Sequence, residues 1–181
     1  MDKRTELNIE VKEKLAAALF SLLEDRPISE ITVTTLIENA SVARVSFYRN
    51  YSSLEEILRY RLDTLVDRYF EECTFPTVNF SDPENMTWMF GFYRKYKREL
   101  LALQRNGLSS MLLETINDIS LTYRRAADEA PAELSREERL DCYYEAGAFY
   151  NTVIHWLAAS DPLPAEAMAR RFCRRIKGST S

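Results

Sequence analysis

Between Ile28 and Leu58, in ISEITVTTLIENASVARVSFYRNYSSLEEIL, the chain signals three helix starts in quick succession, and this crowding constrains the fold more than any other feature. Thr32 is suited to cap a helix Val33–Ala40, and Ile31 just before it stands in the staple relation to Leu36. Ser41-Val42-Ala43 breaks that helix. Val42 and Phe47 repeat the staple spacing across a second start, which predicts a short helix Arg44–Tyr51 entering at a defined angle. Ser53 followed by Glu56 has the spacing of a capping box, and Ile57, Leu58, Leu62 and Leu65 continue from it as the apolar stripe of a longer helix. Two short helices around a tight turn, followed at once by a third helix, form a helix-turn-helix arrangement.

The second short helix divides its faces unequally. Phe47 and Tyr51 lie one turn apart and are expected to hold it against Leu36 and Ile37, which leaves Arg44, Val45, Tyr48 and Arg49 outside. A recognition helix presents this kind of face to base edges in a major groove. Arginine can bridge the two acceptors of guanine, Ser46 can donate or accept, and Val45 or the Tyr48 ring can meet a thymine methyl. Tyr48, Asn50, Thr32, Thr34 and Thr35 are suited to phosphate contacts, which fix register without reading sequence.

Residues 31–58, together with RPISEITV just upstream, resemble the DNA-binding signature of the TetR/AcrR family of bacterial transcriptional regulators. The resemblance implies an all-α subunit with an N-terminal three-helix helix-turn-helix domain (residues 1–53) and a C-terminal helical ligand-binding and dimerisation domain (54–181). It also implies a homodimer, an inverted-repeat operator in double-stranded DNA, and repression as the usual output. YYEAGAFYNTVIHWLAAS, residues 143–160, is similar to a common C-terminal pattern of the same regulators. Three positions depart from the family pattern. Ser41 stands where the turn usually has Gly, and a left-handed non-Gly residue there costs about 1–2 kcal/mol. Ala43 replaces the usual Ser or Asn cap, forgoing about 1 kcal/mol. Leu54 stands where a Lys commonly grips phosphate. These departures bear on affinity more than on fold.

Charge argues the other way from a DNA partner. The chain of 181 residues carries a net charge of −4, with 7 Lys and Arg against 8 Asp and Glu in residues 1–53 and 17 against 20 in the rest. Neither part is basic, so weak non-specific attachment and a modest, salt-sensitive specific grip are expected. With 46% hydrophobic residues and only four Gly, packed helices are favoured over a disordered or β-rich chain. Cys73, Cys142 and Cys173 are odd in number and far apart, which gives no disulfide framework and fits a reducing cytoplasm. No segment reads as a signal peptide or membrane span.

Helix 1 is expected from about Thr5 to Glu24 on the stripe Leu7, Val11, Leu15, Leu19 and Leu22 or Leu23, as a brace for the two short helices. Leu54 to about Cys73 forms a lever from the reading helix into the next domain. Asp82-Pro83 restarts a helix whose Met86, Trp88, Met89, Phe90, Phe92 and Tyr93 cover more than one face, which places it in the middle of the C-terminal domain. The cluster Arg94, Lys95, Lys97, Arg98 closes that helix. A phosphate site and a solvated, dipole-compensating face are the two readings of it, and the second is favoured. Short and long helices follow at Glu99–Arg105 and from Leu108 to about Ala130, with Pro131 as the stop. A capping box, Ser135 and Glu138, opens a helix through about Ala158, and Ala165–Lys177 closes the chain. The apolar excess of these last two helices predicts a dimeric four-helix bundle.

No catalytic constellation is present: one His, no CxxC, no phosphate-cradling Gly loop, and neither metal site nor cofactor is expected. Trp88, Tyr93, Tyr96, Tyr123, Tyr150 and Asn151 are the candidate lining of an effector site for an apolar or aromatic small molecule. A filled core is the competing reading of the same residues. A protein-interaction module with a degraded DNA-reading surface is the alternative function, and a helical enzyme is a distant third.

Overall fold

The computed structural model describes residues 3–76, 78–126 and 133–178, and every regular element among them is a helix. In chain order they are α1 (Lys3–Asp25), a single 3-10 turn (Ile28–Glu30), α2 (Val33–Ala40), α3 (Arg44–Asn50), α4 (Leu54–Glu72), α5 (Pro83–Lys95), α6 (Lys97–Arg105), α7 (Ser109–Ala126), α8 (Arg136–Ala158) and α9 (Ala165–Gly178). The all-α class read from the sequence is what the chain adopts. The expected run of α7 to Ala130 and its stop at Pro131 fall outside the described residues.

The start signals act through the atoms expected of them, with one exception. Thr32 Oγ1 accepts the Thr35 N–H at 3.1 Å, Asp82 accepts from Glu84 and Asn85, and Ser135 and Glu138 satisfy each other's N–H reciprocally. At α4 the box is half made. Ser53 Oγ accepts the Glu56 N–H at 3.3 Å, but the Glu56 carboxylate reaches back one residue further and accepts from the Ser52 N–H at 2.7 Å and the Ser52 hydroxyl at 2.6 Å. Those two bonds hold the Glu56 carboxyl below its usual range and fasten the α3–α4 corner. The break between α5 and α6 falls at Tyr96, whose backbone leaves helical geometry, so α6 begins at Lys97 rather than Glu99.

The main apolar core runs from Leu15 of α1 to Ile176 of α9. α1 packs on α2, α3, α4 and α6 and so braces the short helices as expected, while α7 packs on α4, α6 and α8. α5 lies in the middle, with Met86, Met89, Phe90, Phe92 and Tyr93 buried, against α8 and above all α9. α9 therefore docks on α5. It meets α8 through rings, with Phe149 and Phe172 centred 6.1 Å apart. Asn106 ties the N-terminal helices to this body: its carbonyl accepts the Ile28 N–H at 2.8 Å, and its amide donates to Leu23 O at 3.1 Å and Ala102 O at 2.8 Å.

Candidate nucleic-acid interface

α2 and α3 owe their placement to very few side chains. Leu36 and Ala40 are the buried residues of α2, and Phe47, at 0% exposure, is the buried residue of α3. Tyr51, just past the end of α3, is also buried and meets the Tyr60 ring edge-on at 6.1 Å, which anchors the exit. With Phe47 inward, α3 must turn its other faces out. Val45 is 66% and Tyr48 57% exposed, and Arg44 and Arg49 are exposed beside them.

The turn between the helices has the geometry that usually selects Gly. Ser41 sits at φ 52°, ψ 44°, and it is the one non-Gly residue with positive φ among those described. Its N–H still finds the carbonyls of Glu38 and Ile37, so the turn closes despite the strain. Ala43 occupies the cap of α3 in extended backbone and supplies no side-chain bond. Leu54, the first residue of α4, is half-buried and packs against the core.

The sequence-predicted contact residues gather on one side but are not equally free. Arg44 donates to the Thr34 hydroxyl at 2.5 Å, a bond that holds its guanidinium across the α2–α3 gap without neutralising it. The Thr32 and Thr35 hydroxyls lie 2.9 Å apart and share one bond, Thr32 being occupied as the cap. Asn50 donates one amide N–H to the Ser46 carbonyl at 2.8 Å, so it stabilises α3 from within, and its second N–H and its carbonyl remain for other partners. Ser46 is half-buried. Tyr48 rests edge-on against the Phe47 ring at 5.0 Å, which keeps it upright. Arg49 makes no hydrogen bond or ion pair with the described residues.

No protein-family model and no curated protein matches the chain. A solved structure does match: the TetR transcriptional regulator from Streptococcus agalactiae 2603V superposes with a TM-score of 0.68 over 96% of this chain and 97% of its own, at 18% sequence identity. The chain has a TetR-like fold. At that identity the likeness is one of architecture.

Within this TetR-like body the six candidate effector residues do not form one group. Trp88, Tyr93, Tyr96 and Tyr123 surround Tyr69 and Phe92: Tyr69 meets Trp88 at 5.0 Å, Phe92 at 5.2 Å and Tyr123 at 6.1 Å, all edge-on, and Phe92 meets Tyr93 and Tyr96 at 5.8 and 5.1 Å. Tyr150, half-buried on α8, makes no ring contact with that group, and Asn151 is exposed with one amide N–H donating to Gly147 O at 2.8 Å. The space beneath α4, lined by Leu62, Leu65, Tyr69, Tyr93 and Tyr96 among others, holds about 20 Å³, which is room for one water molecule. Tyr69, at the centre of this group, is not among the sequence-predicted site residues. It is 1% exposed, its hydroxyl has no hydrogen-bond partner, and burial pushes its pKa up. Its centrality has little local signal, because apart from its neighbour Phe70 the rings around it come from α5 and α7.

Three of the four basic residues at the α5–α6 junction are engaged within the protein. Lys95 reaches Glu72 and Arg98 reaches Glu24 at 2.8 Å, while Arg94 lies over the Trp156 ring at 5.9 Å. Nearby, half-buried Arg61 of α4 makes a fork of two 2.8 Å bonds to Glu99 of α6 and a longer contact of 3.5 Å to Glu13 of α1. The Glu99 bond, more than the opposing burial, raises the Arg61 pKa further. The Cys142 and Cys173 thiols are buried, and burial pushes both up, away from the thiolate that redox chemistry needs. Among the described residues no group of three His, Cys, Asp or Glu could hold a metal ion, and no helix is long and apolar enough to cross a membrane.

Proposed function

We propose that the chain is a sequence-specific DNA-binding transcriptional regulator of the bacterial cytoplasm, acting as a homodimeric repressor on an inverted-repeat operator. The observation that carries this reading is the outer face of α3, where Arg44, Val45, Tyr48 and Arg49 stand exposed over a fully buried Phe47. A seven-residue helix held by one ring, with cations and an aromatic turned outward, makes little sense as packing and good sense as a reading head. The TetR-like architecture supports the same conclusion at the level of fold. Residues 1–53 supply the head, and residues 54–181 the dimer interface and the signal site.

One such head reads one half-site, so the grip needs a twin about one helical turn of DNA away. The exposed Leu140 and Tyr143 of α8, with the groove of about 200 Å³ that Ala148, Thr152 and Met168 share with Arg171 and Phe172, offer apolar surface for a second copy along the last two helices. An apolar or aromatic effector would enter beneath α4 among Tyr69, Tyr93 and Tyr96. That space is closed in this conformation, so binding has to select a state in which α4 stands off from α5 and α7. The heads would then lose their spacing, and operator affinity would fall by the same factor that the operator weakens the effector.

The test is binding of the purified chain to labelled duplexes covering the promoter of its own gene and those beside it, across a salt series. Saturable, sequence-selective binding by a species of two chains is expected, with affinity falling steeply as salt rises. Absence of selective binding to any of those duplexes at low salt would hand the case to the rival reading, a protein-interaction module, which Ser41, Ala43 and Leu54 at the DNA face favour.

A further inference from the structure

A second opening lies at the far end of the molecule, where the 78–81 segment, the end of α7, the first half of α8 and Ile176 of α9 surround a cleft of about 540 Å³. That volume is in the range that holds a small organic molecule. The main core does not close across it: Leu121, Leu134 and Cys142 form a small apolar cluster of their own on its flank.

The walls have a clear charge balance. Phe80, Tyr123 and Tyr144 contribute rings, and the ionic groups are Arg124 against Glu138, Asp141 and Glu145. Arg124 already faces Glu138 at 3.4 Å, and Glu138 is further engaged by the Ser135 N–H at 2.9 Å. Asp141 and Glu145 are left over, one helical turn apart on the same face of α8, with no hydrogen bond or ion pair to any described residue. Burial first, and then the Asp141 charge, raise the Glu145 carboxyl above its usual range, and Arg124 only partly offsets them. A half-buried carboxylate beside a like charge is unfavourable unless a cation joins it. Because no three such groups converge tightly enough for a metal ion among the described residues, the matching cation is a diffuse one. The rings add attraction for such a charge.

We propose that this cleft binds a small organic cation, an amine or quaternary ammonium on an apolar or aromatic body, with Glu145 as its principal counter-charge and Asp141 as the second. The site is separate from the closed space beneath α4 and is tested without DNA, so it stands or falls apart from the reading of α3.

Calorimetric titration of the full chain near neutral pH with benzyltrimethylammonium, benzyl alcohol, benzenesulfonate and magnesium chloride tests it. Saturable binding of one ammonium per chain is expected, with the alcohol and the sulfonate at least about tenfold weaker, the gap that a paired buried charge and ring contacts sustain. Glu145→Gln should lose about tenfold in ammonium affinity, while Glu137→Gln, exposed on the same helix outside the cleft, keeps it. Amide shifts in isotope-labelled wild-type protein should fall on residues 78–81, 120–124 and 141–145, a readout that no misfolded variant can blur. Equal binding of the alcohol, wild-type affinity in Glu145→Gln, shifts elsewhere, or magnesium moving the same amides would each overturn the proposal.

Discussion

α3 and the aromatic hub of α5, α8 and α9 hold themselves in place by opposite means. The hub is redundant: Phe90 meets Phe149 at 5.3 Å, Trp156 at 5.2 Å and Phe172 at 6.1 Å, and Phe149 in turn meets Phe80 and Tyr93. α3 has Phe47. On the proposed reading α3 leaves most of its surface to DNA and spares few residues for its own docking, which concentrates its stability on the one face turned inward. The hub has no such outward obligation and spreads its packing over many rings.

The largest effect that would break this contrast is at the anchor. Phe47→Ala removes a fully buried ring, at an expected cost of about 3–5 kcal/mol. Amide protection should vanish across residues 44–50 while the signals of Phe90, Phe149 and Phe172 stay native. If the hub melts together with α3, the two regions are not separately held and the comparison fails.

Next comes the outward face. Arg44→Ala with Arg49→Ala removes two exposed side chains, so the melting temperature should hold to within the usual surface scatter of about 0.5 kcal/mol. Operator affinity, followed by fluorescence anisotropy, should fall about a hundredfold. A drop in stability with unchanged DNA binding would reverse the roles assigned to Phe47 and the arginines.

Smaller still is the turn. Ser41→Gly relieves a left-handed serine and should stabilise the chain by about 1 kcal/mol, raising Tm by about 2–4 °C. A fall in Tm in calorimetry would mean that the serine hydroxyl compensates for its backbone. Smallest is a control outside both regions. Glu145 has a folded-state pKa above its unfolded one, so its ionised form opposes folding. That opposition is absent below about pH 4, the unfolded value, and grows as pH rises through the folded value. Glu145→Gln should therefore raise Tm slightly at neutral pH and leave it unchanged in acid, as a melting series across pH would show.

The parts of the molecule legible in the sequence are those whose cause lies within a turn or two of chain. Thr32, Asp82 and Ser135 cap the helices they precede, because capping is short-range geometry. The exposed placement of Arg44, Val45, Tyr48 and Arg49 followed from the same local pattern. What escaped depended either on partners far along the chain or on which of several nearby atoms a side chain took. Nothing local at Tyr96 marks a break, since neither Gly nor Pro stands there. The Glu56 carboxylate could have closed on Ser53 and instead took Ser52. The bond from the Asn50 amide to the Ser46 carbonyl, one turn back, has no mark of its own in the sequence. Arg61 meets Glu99 across 38 positions of chain, and the packing of α9 on α5 joins elements far apart in sequence. The effector residues were chosen by type, aromatic with a polar tip, and type alone could not separate the four that ring Tyr69 from Tyr150 and Asn151.

Helix α1 belongs to both ends of the molecule, since its inner stripe is covered by α2 and α3 on one side and by α4 and α6 on the other. The head is consequently no detachable cassette. Cut after residue 53, it would bare half of that stripe to water and show little helix by circular dichroism, so swapping heads between chains of this architecture requires carrying the matching surfaces of α4 and α6 along with the graft.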